Sequence, residues 1–224
     1  HSAAVDRTSY LQRPDLGRCL DEPSRAALAA WRDQLPQRVR KEQPAQPGQR
    51  ALSSTGDGGT SEHPRYDLAF VIADGLSALA VHTSAVALVA ATLARLRADA
   101  TQGWTVAPIA VVEQGRVAVG DEVGQALLAR AVVVVLGERP GLSSPDSLGL
   151  YLSWGPQPGL TDASRNCISN VRPAGLPVDA AAAKLHHLLT ASRLRQLTGV
   201  GLKDDSDDRH PVLPGATTAP DIRP

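Results

Sequence analysis

The sequence predicts an α/β protein: a layered domain on a mostly parallel sheet, preceded by a helical N-terminal arm. Three observations carry this reading. Residues 68–73 (LAFVIA) and 132–136 (VVVVL) are uninterrupted apolar runs, the second dominated by β-branched side chains. Runs without polar alternation suit strands covered on both faces, as in parallel sheets layered by helices. Each run leads into a polar turn, Asp74-Gly75 after the first and Gly137-Glu138-Arg139 after the second, with helical patterns between them. Strand, helix and strand in alternation is the signature of a layered α/β domain.

Residues 1–38 form the arm. Asp21-Glu22-Pro23-Ser24 supplies a cap, early acids and a first-turn proline. Leu28, Trp31 and Leu35 then recur at helical spacing, giving one narrow apolar face, and Pro36 ends the helix. A single such face ahead of a polar connector suggests docking onto a partner rather than onto the body. Residues 39–65 are rich in Pro, Gly, Ser, Gln and charge and nearly empty of large apolar side chains. Such a stretch buries too little to offset the entropy of ordering it, so it reads as a flexible linker.

The body spans residues 66–202. After the strand at 68–73, the alanine-rich residues 78–98 form a crossover helix. Residues 106–112 are the next strand, and Gln114-Gly115-Arg116 turns into a short strand at 117–119, paired with it as a hairpin. Asp121 caps a short helix over 122–130, which delivers the chain into the central strand at Val132. That strand breaks at Gly137. Residues 148–154 (LGLYLSW) form a further strand or edge, and residues 162–172 are a polar segment dense in hydrogen-bonding groups. A last helix covers 178–197, and residues 203–224 read as a disordered tail.

Composition narrows the function. Lys plus Arg and Asp plus Glu both number 23, so no global field recruits nucleic acid or anionic membrane. Aromatics are 3% of residues, too few for a stacking platform on single-stranded nucleic acid. No run reads as long and apolar enough to span a bilayer, and no signal-peptide pattern is present. Cys19 and Cys167 stand far apart with no CxxC spacing, which points to a reduced, cytoplasmic protein rather than a disulfide or zinc framework.

No complete catalytic set emerges. The chain has no G-x-G-x-x-G after its first strand, no G-x-x-x-x-G-K-[ST] and no G-x-S-x-G elbow. His82, His186 and His187 fall in helical patterns, where adjacent histidines point different ways, so no metal site is read from them. Cys167 stands near Arg165, which lowers a thiol pKa if the two meet; the other reading is a small filler. Arg165 and Arg172 either bind an anion or bridge to Asp162 and loop carbonyls. If the strands ending at Asp74 and Glu138 are parallel neighbours, both turns open on one rim and form a ligand shelf. The competing reading is that Gly137 and Pro140-Gly141 only turn the chain.

Six segments carry a resemblance. They are YLQRPDLGRCL (10–20), IADGLS (72–77), QGRVAVGDEVG (114–124), VVLGERPGLSSPDSLG (134–149), RNCISNVRP (165–173) and LTGVG (197–201). In this order they resemble the ethanolamine ammonia-lyase small-subunit family. The resemblance implies a Rossmann-like domain in an adenosylcobalamin-dependent enzyme that converts ethanolamine to acetaldehyde and ammonia. It implies that the chain packs over the corrin and that a large subunit is the partner in a hetero-oligomer; the absence of any assembled nucleophile, metal or acid–base set predicts that this chain is inactive alone. Carried over by motif, Val117, Glu138 and Cys167 are the expected cofactor contacts, with no catalytic residue and no metal ligand in this chain. Val117 offers apolar area, Glu138 an acceptor for ring amides and Cys167 a small packing surface. Cys19 departs from the family, which more often has Arg there. Housing in a bacterial microcompartment is left open. A second reading is a free-standing Rossmann- or flavodoxin-like cofactor-binding or regulatory protein.

Overall fold

The computed structural model describes residues 1–42, 66–139 and 143–204, with the side chains of 35–42 left aside. The expected linker from residue 43 onward, the Pro140-Gly141 turn and the tail from residue 205 lie outside the described residues.

Five strands form one sheet: β1 (Tyr66–Ala73), β2 (Ala110–Val112), β3 (Ala129–Glu138), β4 (Ser147–Trp154) and β5 (Arg165–Val171), in spatial order β2-β1-β3-β4-β5. β2 and β3 flank β1 in parallel, whereas β3–β4 and β4–β5 are antiparallel. The mostly parallel, Rossmann-like sheet read from the sequence is therefore corrected to a mixed one. The cause is connection length. A parallel neighbour needs a crossover of a dozen or more residues, and only residues 139–146 separate β3 from β4. β3 also runs on through Gly137, which pairs with Leu148, instead of breaking there.

Side-chain alternation along β3 explains why both faces are apolar. Val133 and Val135 face a core shared with Leu88, Leu96, Leu185 and Leu189, supplied by helices α4 (Val86–Ala98) and α6 (Val178–Arg195). Val132, Val134 and Leu136 face a second core shared with Val119 and Val123 of helix α5 (Val119–Ala126). Short α3 (Ala78–Ala80) joins α4 through a π-helical turn, Val81–Ala85. The continuous run Ala78–Ala98 is, by length and composition, long and apolar enough to cross a membrane, contrary to the sequence reading. Leu88, Val89 and Leu96 lie buried in the core beside the sheet.

Four local expectations also change. Residues 117–119 do not form a hairpin strand; Val119 opens α5. Gly120 and Gly124, one turn apart, press this helix onto β3. A Cβ at Gly120 would collide with Val134 Cγ2, and one at Gly124 would fall 3.0 Å from Val132 Cβ. Asp121 lies inside the helix rather than capping it. The strand expected at 106–112 shrinks to β2 plus a single bridge from Val106 to Leu68, with Pro108 between, a residue that cannot donate to a ladder. The polar segment after residue 164 is edge strand β5.

The arm comprises α1 (Arg7–Gln12), a short 3-10 turn and α2 (Glu22–Glu42), which continues through Pro36 with the loss of one backbone donor. It packs on the body, which corrects the expectation of docking elsewhere. The Ser2 amide donates to the Glu113 carbonyl (3.0 Å), and the Arg116 amide donates to the Gly17 carbonyl (2.8 Å). The Leu20 amide donates to Glu122 Oε2 (2.8 Å). Leu20, Leu28 and Trp31 join the α5-side core, where Trp31 stacks on Tyr66 with centroids 6.4 Å apart.

Candidate functional site

Register sets the site. Ala73 pairs with Leu136, so the turn after β1 and the end of β3 lie side by side. The Gly137 carbonyl accepts from the Leu76 amide (2.8 Å), which ties the two together. Arg7 of the arm donates to the Gly75 carbonyl (2.5 Å) and closes the corner. The shared rim expected from sequence is thus present, at the carboxyl ends of two parallel neighbours, where open α/β sheets usually place ligands.

A cleft of about 970 Å³ opens there, between the arm, the start of α5, the end of β3 and residues 158–162. Tyr10 and Arg116 form its arm-side wall, with the guanidinium 4.4 Å over the phenol ring. Val117, half-buried, lines the wall ahead of α5, and Leu136, Glu138 and Arg139 line the β3 side.

The floor is a buried ion pair. Arg165 Nη1 and Nη2 donate to Asp121 Oδ1 and Oδ2, each at 2.7 Å. The same guanidinium donates to Ser153 Oγ (2.8 Å) and to the Leu160 carbonyl (3.1 Å). The two side chains are 2% and 1% exposed. Arg165 is therefore a bridge, as one sequence alternative had it, but its chief partner is Asp121. Only a charge set between Val119 and Val123 on an apolar helix hinted at Asp121, and 44 residues separate the partners. Arg172 bridges too, to the Ser143 carbonyl (3.2 Å) and Asp146 (3.5 Å).

Glu138 is half-buried at the rim, and the Tyr151 hydroxyl donates to its Oε1. Tyr151 pairs across the strands with both Val134 and Cys167, so the three share one sheet face. Burial raises the Tyr151 phenol above its usual pKa, and the bond to Glu138 adds to the rise. Cys167 is exposed on β5. Desolvation at the strand still raises its thiol pKa, the Glu138 charge adds to this, and the Tyr151 hydroxyl works against it. That is the reverse of the activation by Arg165 weighed from sequence, since the Arg165 guanidinium is committed to Asp121. Among the described residues no cluster of three or more His, Cys, Asp or Glu is placed to hold a metal.

The family model for the ethanolamine ammonia-lyase light chain matches residues 49–203. The chain belongs to that family. It is 52% identical over 207 residues to the ethanolamine ammonia-lyase small subunit of Ralstonia nicotianae, covering 92% of this chain and 66% of that one. It is 50% identical to the small subunit of Pseudomonas fluorescens (92% and 64%) and 48% identical to that of Xanthomonas campestris (100% and 70%). The chain thus spans about two thirds of the length of the curated relatives it matches. In this chain, Val117 and Glu138 line one cleft, while Cys167 lies on the adjoining open sheet face, in register with Tyr151, the residue that touches Glu138. Sequence reasoning missed Tyr151 altogether; it was one apolar letter among seven in LGLYLSW.

Proposed function

We propose that this chain is the small subunit of an ethanolamine ammonia-lyase and that, with a large subunit, it holds adenosylcobalamin during conversion of ethanolamine to acetaldehyde and ammonia. The observation that carries the proposal is the alignment of Val117, Glu138 and Cys167 along one cleft and the sheet face beside it, on a chain of this family. When bound, the coenzyme supplies the radical chemistry, which leaves the protein to bind, orient and exclude water. The residues fit that division of labour. Val117 offers a methyl surface, Glu138 accepts hydrogen bonds from amide side chains, and Cys167, held as a thiol, fills space without attacking the ligand. Arg165 and Asp121 keep the floor rigid and neutral.

A large partner is supported by the surface beside the cleft. Leu76, Leu79 and Val86 are 42%, 57% and 77% exposed, and no charged residue stands between Asp74 and Arg95. These exposed apolar side chains, with the uncharged Thr83 and the single His82 exposed among them, favour an interaction site.

Co-expression with the large subunit tests the proposal. The expected product is a complex with cobalamin absorbance and lyase activity, while the chain alone with added coenzyme turns over no ethanolamine. Activity of the chain alone, or no complex with the large subunit, overturns it. In the complex, Glu138→Ala is expected to weaken coenzyme binding by about 1–3 kcal/mol, because amide donors are left without an acceptor. The rate at saturation is expected to stay near wild type. An unchanged half-saturation with a collapsed maximal rate would reassign Glu138 to catalysis.

A further inference from the structure

β3 and β4 are antiparallel, with Leu136 opposite Gly149 and Glu138 opposite Ser147. The Glu138 side chain does not extend beyond the rim. It folds back along the sheet and lies on Gly149. A Cβ built on Gly149 would fall 2.5 Å from Glu138 Cδ and 2.6 and 2.7 Å from its two carboxylate oxygens. Those separations are far inside van der Waals contact, so the carboxylate occupies space that exists because residue 149 has no side chain. Its φ does not require glycine: Gly149 is absent from the positive-φ glycines 75, 155, 159 and 199, and it pairs regularly with Leu136 on the β3 side, although the register against β5 shifts between Leu148 and Leu150. A strand glycine marks a bulge or a close approach, and the carboxylate lying against Gly149 supplies the close approach directly.

Two residues on, with the period of the strand, Tyr151 presents its hydroxyl from the same face and donates to Glu138 Oε1. A phenylalanine would fill the same partly buried position; the hydroxyl serves the carboxylate. Oε2 has no hydrogen-bond partner among the described residues. We infer that Gly149 and Tyr151 are positioning residues for Glu138, the glycine by leaving the bed in which the carboxylate lies and the phenol by holding Oε1, so that Oε2 is left to accept from a ligand N–H. The inference rests on Glu138 being a coenzyme contact.

Two measurements decide it. The first is a coenzyme titration of the complex reconstituted with its large subunit. Tyr151→Phe is expected to raise the half-saturation about fivefold and Gly149→Ala at least about tenfold, with the maximal rate unchanged. In a Glu138→Ala background both substitutions are expected to be silent, because they act through that carboxylate. The second needs no coenzyme: the pH midpoint for alkylation of Cys167 in the full chain, followed by peptide mass. Glu138→Gln removes the charge beside the thiol and lowers the midpoint. Gly149→Ala is expected to lower it likewise, by driving the carboxylate away. If Glu138→Ala raises the half-saturation but Tyr151→Phe and Gly149→Ala do not, the positioning role is overturned while Glu138 stands as a contact. If Glu138→Ala changes nothing in the titration, the coenzyme reading of Glu138 fails, and the thiol midpoint still decides the geometry: no shift in Gly149→Ala overturns it.

Discussion

Arg165→Ala is expected to destabilise the chain by about 3–5 kcal/mol, read as a fall in the urea midpoint. The substitution leaves the Asp121 carboxylate in the protein interior, 1% exposed and stripped of both guanidinium donors. It also strands Ser153 Oγ and the Leu160 carbonyl. The cost comes from the orphaned charge more than from the attraction that is lost. Replacing both members by apolar residues of similar size, Asp121→Leu with Arg165→Met, is therefore expected to recover most of the stability. A single Arg165→Ala midpoint within error of wild type would mean that water reaches Asp121 and that the cleft floor is not sealed.

Removal of residues 1–34 is the second large effect. Tyr10 and Leu20 are buried to 1% and 2% exposure, and each such side chain contributes about 1.5–3 kcal/mol when fully buried. The deletion also uncovers Tyr66 beneath Trp31 and leaves Glu122 Oε2 without the Leu20 amide. A clear drop in the thermal midpoint of the remaining chain, by circular dichroism, is expected. An unchanged midpoint would return the arm to a partner, as its narrow apolar face alone had suggested.

The parts of the fold that were legible are those where one local signal has one meaning. Four successive β-branched valines favour a strand covered on both sides, and Val132 to Val135 do alternate between the two cores. The rim followed from the polar turns after β1 and β3. What stayed hidden depends on pairings across the chain. Asp121 resembles a helix cap until Arg165 arrives from β5. The antiparallel return to β4 was readable in principle, since eight residues cannot hold a crossover helix, yet the apolar run in β4 looks the same in either direction. In β5 a register shift between Leu148 and Leu150 of its neighbour breaks the alternation that would have marked RNCISNV as a strand. Tyr151 was invisible as a site residue because its importance lies in a hydroxyl facing Glu138, thirteen positions away.

The uncharged stretch along α3 and α4 has a practical consequence for the isolated chain. With 23 basic and 23 acidic residues the molecule carries no net charge at neutral pH, so nothing repels one copy from the next. Leu79 and Val86 then face water with no colloidal barrier to self-association. Expressed without a partner, the chain is expected to be least soluble near pH 7 and to gain solubility on either side of it, read as turbidity against pH. On the function proposed above, synthesis alongside a large subunit that covers this stripe is expected to raise the yield of recovered protein.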